Sequence, residues 1–326
     1  EVLATEANFN NEIGVPLTLL AIDASHQFAV VEMGASHVGD IAYLTRFAEP
    51  TIAVLTNAMA VHIEGFGSIE AVAKTKGEIF ENLQEGGVAI INQDEPFFQQ
   101  WLQQAGKASV VTFSKYDTSA NFYASDIHIQ KNASTVFELH LAQQTITIKL
   151  ALLGEHNVLN AVAAAAAAMT AGATVDDVKK GLESVRPVDG RLKACAYSNR
   201  TVIDDTYNAS PGSVMAAIDV LSGFSGSRCL ILGTMAELGG LAEKGHRDVA
   251  NYARHKGIEQ LLVVGEFASL VAESFGTACL PFDNVQQLLD VLDESVHSSV
   301  VLVKGSRSAH MERVVDALKN NNKRDQ

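Results

Sequence analysis

Two α/β units in tandem are what this sequence predicts, and three observations carry that reading. Short apolar runs of strand length alternate with amphipathic helical stretches, the pattern of βαβ units around parallel sheets. The chain has 326 residues, a length that suits about two domains. Hydrophobic residues make up 47% and charged ones only 19%, enough for real cores and too little charge for disorder.

The elements follow in order. Residues 28–33 (FAVVEM) form an apolar run suited to a buried parallel strand. A helix is expected over 37–47, with Ile41, Leu44 and Ala48 at helical spacing. Residues 51–55 predict the next strand, 68–83 the next helix and 88–91 another strand. The order then changes. Tyr123, Ile127 and Ile129, then Phe137, Leu139 and Leu141, then Ile146, Ile148 and Leu150 alternate with period two. They predict a small antiparallel sheet appended to the α/β core. Helices over 157–171 and 175–184 close the unit.

The segment R-P-V-D-G at 186–190 marks the domain boundary, since Pro and Gly punctuate there and a new strand series begins. The domains are thus 1–187 and 188–326. Strands of the second are expected at 201–204, 228–232, 260–264, 278–281 and 300–303, with helices between. Ser210 reads as a helix N-cap with Pro211 at the first helical position, and Val214, Ile218 and Leu221 as the apolar stripe behind it. That alternation predicts a doubly wound, Rossmann-like domain.

Composition excludes several classes. With 24 basic and 38 acidic side chains the net charge is −14, which argues against a non-specific polyanion binder. A nucleotide is not excluded, because it needs only a few placed donors. Cys195, Cys229 and Cys279 are widely spaced and make neither a disulfide framework nor a zinc site, so a reducing cytoplasm is expected. The longest apolar run, 161–169, is nine residues and alanine-dominated. A spanning helix needs about 20, so no membrane insertion is expected. The chain opens without Met or a signal-like segment, inside what reads as ordered material, and is expected to be a fragment.

Chemistry-bearing residues sit at strand ends. Glu32 ends an apolar strand, where α/β sheets bind ligands, although a solvated carboxylate is the plainer reading. Thr56-Asn57 follows the next strand in the same way. His62 lies five residues beyond Asn57, and Lys76 falls in a helix; singly these suit a structural histidine and a solvated lysine.

Together they resemble the Mur ligase family, ATP-dependent ligases that build the peptide of bacterial cell-wall precursors. The resemblance rests on N-x-N-N-x-I-G-x-P at 8–16, E-M-G-A-S-H at 32–37 and T-N-A-M-A-V-H-I-E-G-F-G-S at 56–68. It continues with K-G-E-I-F at 76–80 and G-E-H-N-V-L-N-A at 154–161. In the second domain come G-R at 190–191, D-D-T-Y-N-A-S-P at 204–211 and L-V-K-G-S-R-S at 302–308. The segments H-I-E-G-F-G-S and D-x-Y-N-A-x-P look like the member that adds D-alanyl-D-alanine to UDP-N-acetylmuramoyl-tripeptide. The D-N-P-R motif typical of the preceding, diamino-acid-adding enzyme is absent. Another amino-acid-adding Mur enzyme or folylpolyglutamate synthase is the nearest alternative. A dinucleotide-dependent oxidoreductase lacks its G-x-G-x-x-G at 231–239, and a non-catalytic binding module sits poorly with an intact Glu32, His62 and Lys76.

The resemblance implies a central ATP-binding domain followed by the Rossmann-like one, with ATP and Mg²⁺ as cofactors. ATP would phosphorylate the tripeptide carboxylate, and the D-alanyl-D-alanine amine would attack the acyl phosphate. Two anionic groups must meet, which calls for a divalent cation held by oxygen ligands. By resemblance Glu32 and His62 hold metal, and Lys76 reacts with CO₂ to give a carbamate that serves as a further ligand. Asn157 and Asn160 lie on one helix face and meet the adenine, and Asn57 also belongs to the nucleotide set. A plain N-cap is the other reading of Asn157. Arg191 reaches the phosphates, and one of Asp204 and Asp205 holds the ribose. Asn208, Ser210, Lys304 and Arg307 face the nucleotide or the incoming dipeptide, with Lys304 and Arg307 both open as the cation for its carboxylate. A monomeric, cytoplasmic bacterial enzyme is implied. The family's phosphate loop, G-x-x-x-x-G-K-[ST], occurs nowhere in the sequence, nor does the domain that binds the UDP group. The fragment alone is therefore expected to be inactive.

Overall fold

Strand and helix alternate as the apolar pattern requires, and a computed structural model describes residues 1–59, 63–130, 133–197 and 200–320. Two compact units emerge. One is Glu1–Ser125 with Glu138–Ile146 and Leu159–Lys180; the other is Asp126–Phe137 with Thr147–Val158 and Gly181–Gln326.

The chain begins with β1 (Val2–Ala4), α1 (Gly14–Leu20), β2 (Phe28–Val30), α2 (Asp40–Ala48), β3 (Ile52–Leu55) and α3 (Ile63–Phe66). Next come α4 (Ile69–Gly77), a 3-10 turn (Glu78–Phe80), β4 (Val88–Asn92), α5 (Phe98–Ala105) and β5 (Ser109–Ser114). Then follow β6 (Phe122–Ile129), β7 (Thr135–His140), β8 (Thr145–Leu150), α6 (Glu155–Thr170) and α7 (Val175–Ser184). Strands β3 to β8 lie in sequence order in one six-stranded sheet, with β3–β4, β4–β5 and β5–β6 parallel. Leu55, Val72, Phe80, Ile91 and Trp101 pack one core beside it. The Trp101 indole N–H donates to the Ala73 carbonyl at 2.9 Å, so this large side chain is buried without an orphaned donor. Ser68 caps α4 by accepting from the Ala71 N–H at 3.1 Å.

Three expectations need correction. The apolar run at 28–33 is a strand only over Phe28–Val30, and Phe28 and Val30 are 50% and 62% exposed. It pairs in parallel with β1 alone, in a two-stranded sheet. An apolar run reports what a strand would bury, not what covers it. The period-two strands β6 to β8 are not a separate sheet; they extend the parallel one. The helix expected over 68–83 stops at Gly77 and finishes as the 3-10 turn.

The second sheet is built from β9 (Lys193–Tyr197), β10 (Arg200–Asp205), β11 (Arg228–Gly233), β12 (Gln260–Val264), β13 (Cys279–Phe282) and β14 (Val300–Lys304). Its order is β13-β12-β11-β14-β10-β9, parallel throughout except for β9 at the edge. The last strand, β14, thus fills the slot between β10 and β11. Helices α8 (Pro211–Ser222), α9 (Ala242–His255) and α10 (Ala268–Phe275) cover one face. Helices α11 (Val285–Asp290), α12 (Leu292–Ser295) and α13 (Glu312–Asn320) cover the other. Alternation along β14 divides its side chains: Leu302 joins the first core, Val301 and Val303 the second. This is the doubly wound arrangement the pattern predicted.

Leu302 is fully buried. Leu302→Ala is expected to lower the unfolding free energy by about 2–5 kcal/mol, read from urea titration. An unchanged midpoint would mean that β14 is not central to the core.

Candidate functional site

In the first unit a polar cluster forms at the carboxyl ends of β3 and β4. The Asn92 side chain donates to the Thr56 carbonyl at 2.7 Å, fixing the segment that leaves β3. Glu95 accepts from the Ala58 N–H at 3.2 Å, and the Lys76 ammonium donates to the Asn57 carbonyl at 3.0 Å. Burial pulls the Lys76 pKa down, and the nearby Glu95 charge pulls it partly back. Burial pushes Glu95 up, against the Ala58 N–H and Lys76. Both groups are thus displaced toward their neutral forms.

Glu32 lies just past β2. Its Oε1 accepts from the Asn10 amide at 2.8 Å, and its backbone N–H donates to Thr5 Oγ1 at 2.8 Å. The side chain is exposed, and its Oε2 has no protein partner among the described residues. Gly34 donates to the Asn10 carbonyl at 2.7 Å, so the loops at 5–10 and 32–34 are held together. Gly65 opens the way for α3 to approach this region, since a Cβ there would lie 2.1 Å from the Ser36 carbonyl oxygen. His62 lies outside the described residues. Among those described, no cluster of three or more His, Cys, Asp or Glu side chains could hold a metal ion. The buried Glu78 accepts from the Ala42 N–H at 3.0 Å, joining the turn after Lys76 to the first turn of α2. Burial raises its pKa.

Asn157 and Asn160 both fall within α6. Asn157 is not an N-cap: its amide donates back to the Leu153 carbonyl at 2.8 Å.

In the second unit the carboxyl ends of β10, β11 and β14 converge. Asp205 and Lys304 are register partners on β10 and β14, with Oδ2 and Nζ 2.6 Å apart. Lys304 also donates to the Asn208 carbonyl at 2.8 Å, and Asp205 Oδ1 accepts from the Leu192 N–H at 3.2 Å. Asp204 Oδ1 accepts from the Thr206 hydroxyl at 2.7 Å. Arg191 is exposed and stacks on the Tyr207 ring, 4.2 Å from its centroid. Ser210 is buried and serves as the N-cap of α8, in a capping box with Ser213. Asn208 and Arg307 are exposed, and the Arg307 side chain has no partner among the described residues.

Several residues of these sites went unremarked in the sequence. Glu95 and Asn92 follow an apolar strand in I-I-N-Q-D-E, the same strand-end signal that singled out Glu32. His246, buried in α9, offers no such signal. Its Nε2 accepts from the Met235 N–H at 3.0 Å and its Nδ1–H donates to the Ala242 carbonyl at 2.8 Å, which requires the neutral ring.

Residues 1–168 match the Mur ligase middle domain, and residues 190–307 match the Mur ligase, glutamate ligase domain. The chain is 40% identical over 322 residues to the UDP-N-acetylmuramoyl-tripeptide--D-alanyl-D-alanine ligase of Escherichia coli K12, covering 98% of this chain and 71% of that protein. The crystal structure of MurF from Acinetobacter baumannii superposes with a TM-score of 0.92 at 32% identity, over 98% of this chain and 70% of the other. MurF ligase from Thermotoga maritima, in complex with ADP, gives 0.88 at 28% identity, over 100% and 74%.

The His246 geometry carries a pH dependence. Burial holds its folded pKa below the ordinary value of about 6.5, so the unfolded chain takes up the proton first. Its contribution is complete above about pH 6.5 and is lost as pH falls from there toward the lowered folded value. Unfolding free energies measured between about pH 7 and 5 should therefore fall, and His246→Gln should flatten part of that slope. An identical slope in the variant would assign the acid sensitivity elsewhere.

Proposed function

The chain belongs to the Mur ligase family, and from that premise we propose that it joins D-alanyl-D-alanine to UDP-N-acetylmuramoyl-tripeptide in peptidoglycan precursor synthesis. It does so as an ATP-dependent carbon–nitrogen ligase. The observation that carries the reading is the continuous likeness to ligases of that name through both halves of the chain, including D-x-Y-N-A-x-P at 205–211. The middle domain is assigned to 1–187 and the C-terminal domain to 188–326, supported by family matches that end at 168 and resume at 190. The enzyme is read as a cytoplasmic monomer. No helix among the described residues is long and apolar enough to cross a membrane.

The chemistry follows from the sites. A phosphoryl group moves from ATP to the tripeptide carboxylate, the amine of the dipeptide attacks the acyl carbon, and phosphate leaves. Magnesium suits the donor set, because Glu32 offers a carboxylate oxygen without a partner among the described residues and this ion needs only one or two protein carboxylates. Glu32, His62 and a Lys76 carbamate would hold it, and when bound it neutralises charge between the phosphate and the carboxylate. Lys76 is prepared for carbamate formation by its depressed pKa, since only the neutral amine adds to CO₂. The N–C bond forms and one proton leaves to solvent. The Asn57 carbonyl holds the amine in place, with the Glu95 charge nearby. Asn157, Asn160, Arg191 and one of Asp204 and Asp205 are assigned to the nucleotide, and Asn208 to the dipeptide side. Ser210 acts there through the α8 cap. Lys304 is committed to Asp205, which leaves Arg307 as the cation for the dipeptide carboxylate.

Two assays on the full-length parent enzyme test this. With UDP-N-acetylmuramoyl-tripeptide and Mg·ATP, phosphate release should require D-alanyl-D-alanine; equal turnover with a single amino acid would point to a different member of the family. Lys76→Ala should lose about 100-fold or more in kcat, with partial rescue by a short carboxylic acid that returns the missing oxygens. Lys76→Arg should stay inactive and unrescued, because its fixed charge occupies the space. Near-normal turnover of Lys76→Arg would show that the site needs a cation, and the carbamate would be wrong.

A further inference from the structure

Three strand-end loops of the second unit meet at one buried hydroxyl. Ser306, 3% exposed, accepts from the Ala236 N–H at 2.7 Å and donates to the Ala209 carbonyl at 3.3 Å. Its own backbone N–H donates to the Thr234 carbonyl at 3.1 Å. The loops after β10, β11 and β14 are therefore tied through a single side chain and its peptide group. Two glycines make the approach possible. A Cβ on Gly305 would lie 3.2 Å from the Gly233 Cα and 2.6 Å from Met311, and one on Gly233 would lie 2.8 Å from Met311. Ser306 also precedes the turn Arg307–Ala309, so it sets where the exposed guanidinium of Arg307 begins.

We propose that Ser306 is a positioning residue for the acceptor dipeptide: its hydroxyl fixes Arg307 against the loops at 206–210 and 234–238. The dipeptide carboxylate then meets an oriented guanidinium instead of a freely sweeping one. The inference rests on the assignment of Arg307 above. An arginine recognises a carboxylate through two parallel N–H donors, a geometry that tolerates little angular error. Arg307 has no partner among the described residues to hold its side chain, so its backbone must supply the order. Ser306 does not touch the nucleotide or the dipeptide in this scheme; it acts through its neighbour.

Steady-state kinetics of the full-length parent enzyme carrying Ser306→Ala, Ser306→Cys or Ser306→Thr, each alone and combined with Arg307→Ala, test this. The Ala and Cys variants should raise KM for D-alanyl-D-alanine about tenfold while KM for ATP moves less than about twofold. Ser306→Thr keeps the hydroxyl at an extended backbone position (φ −63°, ψ 156°) and should restore the wild-type KM. In the Arg307→Ala background the Ser306 changes should add nothing further. Additive effects, a wild-type KM for the Cys variant, or equal rises in both KM values would overturn the proposal. Hydrogen exchange gives a readout independent of turnover. The Ala236 amide should exchange faster in Ser306→Ala, and unchanged protection there would equally overturn it. Failure of the wild-type enzyme to use D-alanyl-D-alanine would instead strike the assigned reaction and leave the exchange result standing.

Discussion

The ion pair between Lys304 and Asp205 is the constraint on which the carboxyl edge of the second sheet depends. The two side chains, 4% and 13% exposed, face each other across adjacent parallel strands at 2.6 Å. A buried charge is tolerable only when paired and hydrogen-bonded, and both ends here meet that condition. The ammonium also serves the Asn208 carbonyl and the carboxylate also serves the Leu192 amide, so four segments share one electrostatic centre. Deleting either partner would strand the other, a loss of about 3–5 kcal/mol. The hydroxyl of Ser306 and the exposed Arg307 follow within three residues of Lys304, so their placement inherits its rigidity.

The first unit brings a lysine and a carboxylate together to a different effect. Lys76 and Glu95 are also partly withdrawn from water, but burial there moves both toward neutrality. In one unit a lysine is an ionic fastener. In the other it is a half-buried amine whose pKa burial pulls down against the nearby Glu95 charge.

How much of this was legible in sequence depends on how far each signal reaches. The strand at 260–264 and the cap at Ser210-Pro211 were readable because each is decided by adjacent residues. β5 escaped because its apolar stretch is short and flanked by serine and threonine. The union of β6–β8 with the parallel sheet rests on two residue pairs, Phe113 with Phe122 and Ser114 with Tyr123, which no periodicity encodes. The motifs singled out Glu32, Asn57 and Lys76 as candidates, but not the Asn92 and Glu95 side chains that hold the segment at 56–58. Lys304 and Arg307 looked interchangeable at three residues' separation. Burial alone distinguishes them, and burial is a property of the folded chain.

The place of β14 in the sheet bears on how the protein is made. Its residues 300–304 leave the ribosome after the five other strands of this sheet, yet they lie between β10 and β11 and contribute to both cores. Until they arrive, β10 has only the β9 hairpin as a partner and β11 has only β12. The nascent domain therefore presents two unpaired inner strand edges throughout most of its synthesis. Closure demands pairing across about 100 residues of chain, a long-range step that is intrinsically slow. A ribosome stalled before Val300 would hold a split sheet with an open groove at its centre, a natural landing place for chaperones.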